Sequence, residues 1–198
     1  MRFAWLLIII TCFSLVATVT GQDKFDTSVF FPQSVGDERF YRKVGKLAKP
    51  NEGWTDKIEG NKGRFFSHSN FWGDGVSREL KINNKHQIVE RAKDKKFIWY
   101  KLDETNEWVM NLSQEGIPCT EGAKVRIVSH IETVQVPAGT FNNCLKLEFT
   151  TSCNDAGVEA QWFAPGVGLV KQTESTFGGL LTTELVKATV AGKPYPTN

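Results

Sequence analysis

The chain has 198 residues, with 24 lysines and arginines against 22 aspartates and glutamates, a formal net charge of +2. A balance so close to neutral gives no general pull towards nucleic acid, and an aromatic content of 12% excludes a disordered polar chain. The four cysteines and three histidines include no Cys-x-x-Cys and no paired-histidine spacing, so no metal and no cofactor is expected.

The first 21 residues read as a targeting segment. Arg2 gives a basic start, Trp5 to Val19 an apolar stretch, and Val19-Thr20-Gly21 small residues where a signal peptidase reads. The stretch is short for a membrane span, and no basic cluster follows it. Thr11 precedes Cys12 where a lipid-anchor site needs Gly or Ala, so no lipid anchor is expected there. Cleavage before Gln22 leaves 177 residues, a size suited to one β-rich domain over 22–198 with a polar tail from about 192. The chain is then expected to be secreted or periplasmic, and export makes a disulfide possible.

In chain order, Gln22 to Ser28 is a loose lead and Gly36-Asp37 a turn entering a strand at about 38 to 44. A short helix around 41 to 49 is also allowed. Trp54 to Glu59 is a short strand, closed by a turn at Gly60 to Gly63, and Arg64 to Trp72 another, closed by Gly73-Asp74-Gly75. Residues 76–102 form strands turned at Asn83-Asn84 and Asp94-Lys95, and a turn follows at Glu104 to Asn106. Trp108, Met110 and Leu112 alternate with polar or exposed positions, the period of a half-buried strand.

Lys124 to Val136 is a long strand whose apolar set changes phase, from Val125 and Ile127 to Val134 and Val136. A β-bulge between Ser129 and Thr133 reconciles the halves. Pro137 to Phe141 is the next turn, after which Leu145, Leu147 and Phe149 point one way and Lys146, Glu148 and Thr150 the other. Asn154 to Gly157 turns the chain, Val158, Ala160 and Trp162 face one side, and Pro165-Gly166 turns it again. The strands at 167–174 and 181–189 meet at Gly178-Gly179. Nine or ten strands at this spacing argue an all-β antiparallel meander in a curved sheet, with at most one or two short helices. Barrel, open half-barrel and sandwich all remain open.

Three cysteines lie beyond the targeting segment. A hairpin turned at Pro137 to Phe141 places Cys153 opposite about Val125, at the end entered by the loop carrying Cys119, and Cys144 opposite about Val134. Cys144 and Cys153 share one strand, where nine residues span about 30 Å, while a bond needs α-carbons within about 7 Å. Cys119–Cys153 with Cys144 free is the preferred pairing, against the alternative of three buried thiols.

No catalytic residue is assigned. The Gly-x-Ser-x-Gly elbow is absent. His130 reads as a locally bonded strand histidine, and Cys144 lies about four residues out of register with it. Glu148, Glu159 and Glu174 read as a solvated face, though a hydrolase with dispersed carboxylates stays open. Arg78, Lys81, Lys85, Arg91, Lys93, Lys95 and Lys96 could form a basic face for an anionic surface or matrix partner, or a solvated face that blunts strand edges. Trp99, Trp108 and Trp162 are candidates to line an apolar pocket, with core filling as the plainer role. Asn111-Leu112-Ser113 is a glycosylation sequon on the outward side, relevant in a eukaryote.

Phe31-Pro32 with Gly36 and Phe40-Tyr41, then Val136-Pro137-Ala138-Gly139-Thr140-Phe141 with Cys144, then Trp162-Phe163-Ala164-Pro165-Gly166-Val167-Gly168-Leu169-Val170-Lys171, resemble a group of uncharacterised exported bacterial β-proteins. Phe40 stands where that group often has Trp. The resemblance is broader to extracytoplasmic half-barrels that handle lipid or lipoprotein, and it implies a non-enzymatic exported protein binding an apolar ligand, a lipid, a lipoprotein or an envelope partner. It implies no catalytic residues; export and the near-neutral charge argue against nucleic acid.

Overall fold

The structure, a computed structural model, describes residues 26–102 and 107–196. The targeting segment, its cleavage position, Cys12 and the turn at 104–106 lie outside them. Among the described residues the chain is all-β apart from one turn of helix, α1 (Thr27–Phe30). Asp26 caps it by accepting hydrogen bonds from the Ser28 backbone N–H and hydroxyl. The lead is therefore fixed from residue 26. It drops Phe31 into the core, where its ring lies 5.8 Å from Phe71 and 6.4 Å from both Tyr100 and Phe163.

Thirteen strands follow: β1 (Glu38–Gly45), β2 (Gly53–Lys62), β3 (Phe65–His68), β4 (Arg78–Ile82), β5 (Gln87–Ala92), β6 (Lys95–Lys101), β7 (Trp108–Val109), β8 (Lys124–Val136), β9 (Gly139–Thr150), β10 (Gly157–Ala164), β11 (Gly168–Thr176), β12 (Gly179–Val190) and β13 (Lys193–Tyr195). Among the described residues they exceed the nine or ten expected: β13 falls in the expected tail, and β3 and β7 are shorter than the strands read at 64–72 and 108–112. β13 replaces part of the expected polar tail, pairing with β12 and setting Tyr195 against Phe141. No helix forms at 41–49: Arg42 to Gly45 continue β1 in register with Glu184 to Leu181.

The sheet is antiparallel in the order β6-β5-β4-β3-β2-β1-β12-β11-β10-β9-β8-β7. Its first half and its second half are each a meander, joined where β1 meets β12. The two ends come round to each other. The Asn111 N–H donates to Ile98 O at 3.0 Å, and the Trp108 indole N–H to Trp99 O at 3.2 Å. The sheet is thus a nearly closed barrel, not a sandwich.

Side-chain alternation follows the sequence where strands are regular and departs at bulges. β8 changes phase as expected: Val125 is buried, Ile131 is exposed, and Val134 and Val136 are buried again, with register shifts between Ile127 and Val134. The hairpin turn is tighter than read, since Val136 pairs with Gly139. Cys144 accordingly faces Glu132 rather than Val134, and Cys153 lies beyond the strand end, where Lys124 faces Thr150. In β10, register shifts on either side of 160–162 put Gln161 fully inside and leave Trp162 half-buried on the outer side. The barrel interior is otherwise packed with Tyr41, Phe71, Trp99, Tyr100, Trp108, Leu145, Leu147 and Phe163.

Candidate functional site

The packed core gives way at one mouth of the barrel to an open cleft of about 400 Å³, a volume within the range of small-molecule sites. Trp54 from β2 and Trp72 from the β3–β4 loop provide its aromatic walls; Ile117, Phe177 and Leu181 add apolar surface. Two glycines let the loops lie on the indoles. A Cβ at Gly73, itself at φ +75°, would stand 2.6 Å from the Trp54 ring, and one at Gly116 would stand 2.5 Å from Trp72 Cβ.

Polar groups enter the cleft from β11 and β12. Alternation puts Gln172 and Glu174 of β11 and Thr183 of β12 inside, and all three line the cleft. A directed chain of hydrogen bonds reaches it from the core. The Tyr100 hydroxyl donates to Gln161 Oε1 at 2.9 Å, and Gln161 Nε2 donates to Gln172 Oε1 at 2.6 Å. The acceptor end of Gln172 is thereby occupied, so the donor end of its amide is turned towards other partners. Burial pushes the Tyr100 hydroxyl far above its ordinary range and keeps it a neutral donor.

Glu174 is only 6% exposed. Burial pushes its carboxyl above the ordinary carboxylate range, Glu52 adds to the rise, and Lys43 opposes it. Lys43 is itself held by Glu52 at 3.3 Å and lies over the Trp54 ring at 5.9 Å. Three buried polar atoms on cleft-lining residues have no hydrogen-bond partner: Trp54 Nε1, Trp72 Nε1 and Thr183 Oγ1. Buried polar groups are normally satisfied; these three atoms are themselves shielded from solvent, behind the cleft wall.

A disulfide fastens the rim. Cys119 and Cys153 are bonded, with α-carbons 6.0 Å apart. The bridge ties the β7–β8 loop, which contributes Ile117 and Pro118, to the β9–β10 turn, which contributes Asp155 and Ala156. Cys144 is free and buried.

The tryptophans singled out from sequence lie elsewhere. Trp99 and Trp108 are core residues, with indole N–H groups already engaged by Glu90 and by Trp99 O. Trp162 lies on the outer face between Lys146 and Lys171, whose Nζ atoms are 5.5 and 5.3 Å from its ring. The three do not share a cavity with Trp54 and Trp72. Trp54 shares the inward face of β2 with Asp56 and Ile58, so alternation could have located it, but nothing in the sequence places Trp72, which sits in a turn.

The basic residues also divide. Arg78 is buried, 2% exposed, and holds Asp74 through both terminal nitrogens. It therefore belongs to no surface patch. Arg91 pairs with Glu79 at 2.7 Å, and Arg91 and Lys81 both cover the Phe65 ring. Lys85, Lys93, Lys95 and Lys96 are exposed. Asn111 is exposed, as its alternation implied, and His130 is exposed on β8.

One buried pair has the look of a catalytic dyad. His68 Nδ1 lies 2.7 Å from Asp56 Oδ2. Its other ring nitrogen lies 3.2 Å from Gln33 Nε2, and no serine, threonine or cysteine side chain is among its hydrogen-bond partners. Burial pushes Asp56 up, but His68 and the Asn70 N–H more than offset it and hold the carboxyl below its usual range. The pair latches the α1 segment to β2 and β3. Among the described residues no cluster of three or more His, Cys, Asp or Glu could hold a metal ion.

Residues 101–184 match the sequence model of a family described as DUF3108-like. The match runs from the end of β6 into β12 and takes in the cleft's β11 wall and its disulfide. No curated protein matches the chain. Two solved structures are similar in fold. One is a protein of Parabacteroides distasonis ATCC 8503 provisionally described as a lipoprotein, 12% identical over 81% of this chain and 98% of that one, with a TM-score of 0.47. The other is a protein of Bacteroides fragilis NCTC 9343 provisionally described as exported and YmcC-like in fold, 13% identical over 79% of this chain and 97% of that one, with a TM-score of 0.40.

Proposed function

We propose that this chain is an exported, non-enzymatic binding protein that takes a small amphipathic ligand in the mouth cleft. The observation that carries the reading is the cleft itself, about 400 Å³ walled by Trp54, Trp72, Ile117 and Leu181, with the side chains of Gln172, Glu174 and Thr183 along its polar side. The Gln172 amide, its oxygen already taken by Gln161, has a donor to spare. A complementary ligand brings acceptors, such as the carbonyl and hydroxyl oxygens of an acyl ester. Its chain lies against Trp54, Ile117 and Leu181. Glu174, held towards its neutral form, can donate as well as accept. Lipid or a lipid-bearing partner fits this chemistry; nucleic acid does not.

The test is a tryptophan emission titration with lauroyl-lysophosphatidylcholine kept below its micelle concentration. A saturable change in the wild type is expected. Thr183→Val should leave the melting temperature unchanged, because the hydroxyl it removes has no partner, yet weaken binding about fivefold, the worth of one hydrogen bond of ~1 kcal/mol. No saturable change, or equal affinity in Thr183→Val, refutes the reading. Export itself is tested by N-terminal sequencing of the extracytoplasmic protein, expected to begin at Gln22.

A hydrolase remains the second reading, because Glu174 and the exposed Asp155 both line the cleft. Two carboxyls on one cleft, one of them raised by burial, are the kind of pair that glycoside cleavage uses. Release of p-nitrophenol from aryl glycosides by the wild type, abolished in Glu174→Gln, would replace the binding reading. The basic face has less support as a partner surface, since Arg78 is buried against Asp74 and Arg91 is paired with Glu79.

A further inference from the structure

The β1–β2 and β11–β12 hairpin tips lie side by side at the cleft mouth. Gly45 pairs with Leu181, and the Leu47 side chain lies against Gly178 so closely that a Cβ there would meet it at 2.2 Å. On these two tips four large apolar side chains face water: Val44 at 40% exposure, Leu47 at 55%, Leu180 at 53% and Phe177 at 96%. Phe177 stands at the apex of a two-residue turn, closed by Thr176 pairing with Gly179. Turn positions are dominated by Gly, Pro, Asn, Asp and Ser. A phenylalanine there buries nothing within the chain, and it also borders the cleft.

The exposed charge on the β1–β2 tip itself is positive. Lys46 and Lys49 are exposed on the same β1–β2 tip. The nearby acids are mostly engaged: Glu52 holds Lys43 and the Lys49 N–H, and Glu184 pairs with Arg42 at 3.5 Å. The exposed acids at this mouth lie away from the two tips: Asp155 on the β9–β10 turn, Glu115 beside Gly116, and Glu159, which accepts from the Ser175 hydroxyl. The patch is four side chains on two hairpin tips, a small footprint beside the roughly 800 Å² per partner that a stable protein interface buries. An apolar tip flanked by lysines needs no such area to enter a lipid surface: a few inserted side chains and some attraction to anionic headgroups suffice.

We infer that the paired tips at Val44 to Lys49 and Phe177 to Leu180 dock the protein on an anionic lipid membrane, with the cleft mouth facing the bilayer. Phe177, Leu47 and Leu180 enter the acyl boundary, and Lys46 and Lys49 lie among the headgroups. Phe177 belongs to both surfaces, but Leu47, Leu180, Lys46 and Lys49 do not line the cleft, so docking can hold when the cleft stays empty, and the cleft can fill in solution without docking.

The experiment is co-sedimentation of the full exported chain with vesicles of phosphatidylcholine alone and of phosphatidylcholine with 30% phosphatidylglycerol. Binding to the anionic vesicles is expected to fall steeply between 50 mM and 500 mM salt. Phe177→Ser should weaken binding by at least about tenfold, the loss expected when one large apolar side chain no longer leaves water. Lys46→Gln with Lys49→Gln should weaken it about twenty-fivefold, from a contribution of about fivefold for each lysine near an anionic surface. Ile131→Ser is the control, because Ile131 is 80% exposed on β8, remote from the tips in sequence and pairing, and it should bind as the wild type does. Absence of binding to both vesicles, an equal loss in Ile131→Ser, or a dimer in sedimentation velocity that Phe177→Ser abolishes would each overturn the inference.

Discussion

Removing the Cys119–Cys153 bond, by Cys119→Ala with Cys153→Ala, should destabilise the protein substantially. The bond joins residues 34 apart in sequence. In the chain-entropy description, releasing a loop of that length restores about 3.8 kcal/mol of freedom to the unfolded chain. Both cysteines are only half-buried, so lost packing adds little. For a domain of this size, about 2–4 °C of melting temperature accompanies each kcal/mol, which gives a fall of roughly 8–15 °C. The assay is thermal unfolding by far-ultraviolet circular dichroism with and without a phosphine reductant. Reductant should bring the wild type to the variant's melting temperature and leave the variant unmoved. A fall under about 3 °C, or a wild type that ignores reductant after unfolding and refolding in its presence, would show that the bond does not restrain the chain as argued.

Glu174→Gln should relieve a pH-dependent strain. The folded state keeps on Glu174 a proton that the unfolded chain releases near 4.5. Between that value and the raised folded one the folded protein binds more protons, so stability falls as pH rises. The variant's melting temperature should overtake that of the wild type as pH is raised through this window; parallel curves would contradict it. Gly116→Ala should cost about 1–3 kcal/mol in urea unfolding, because the new methyl meets Trp72; no loss would mean the loop yields freely. Cys144, whose thiol burial pushes up to about 11, should resist iodoacetamide at pH 8 in the native protein and take one adduct in denaturant by intact mass. Native labelling would contradict its burial.

The fold was legible where strand alternation is regular. Lys124 to Val136 announced both its strand and its bulge, because two apolar sets out of phase on one strand reach the same core only if the pairing shifts between them. The cysteine pairing was reached through an imperfect register: the turn at Pro137-Ala138 is shorter than read, yet both cysteines still lie at the open end of the hairpin. The site was far less legible. Trp99 and Trp108 resemble pocket aromatics in sequence because indoles in a core and in a cleft share the same apolar alternation. Trp72 reaches the cleft from a turn, and Gln161 enters the core through a bulge, so neither follows from period-two reasoning. Glu174 read as a solvated carboxylate, since its place in the alternation does not say which face closes over it. Arg78 read as surface charge because its partner Asp74 sits in a turn.

The most direct test of the cleft assignment follows the indole N–H resonances of ¹⁵N-labelled protein while monomeric lauroyl-lysophosphatidylcholine is added. Trp54 and Trp72 have unpartnered indole nitrogens, whereas those of Trp99 and Trp108 are already bonded. The Trp54 and Trp72 signals should move together and saturate, with Trp99, Trp108 and Trp162 unmoved. Stationary Trp54 and Trp72 signals, or movement confined to the other three, would contradict the assignment of ligand binding to this cleft.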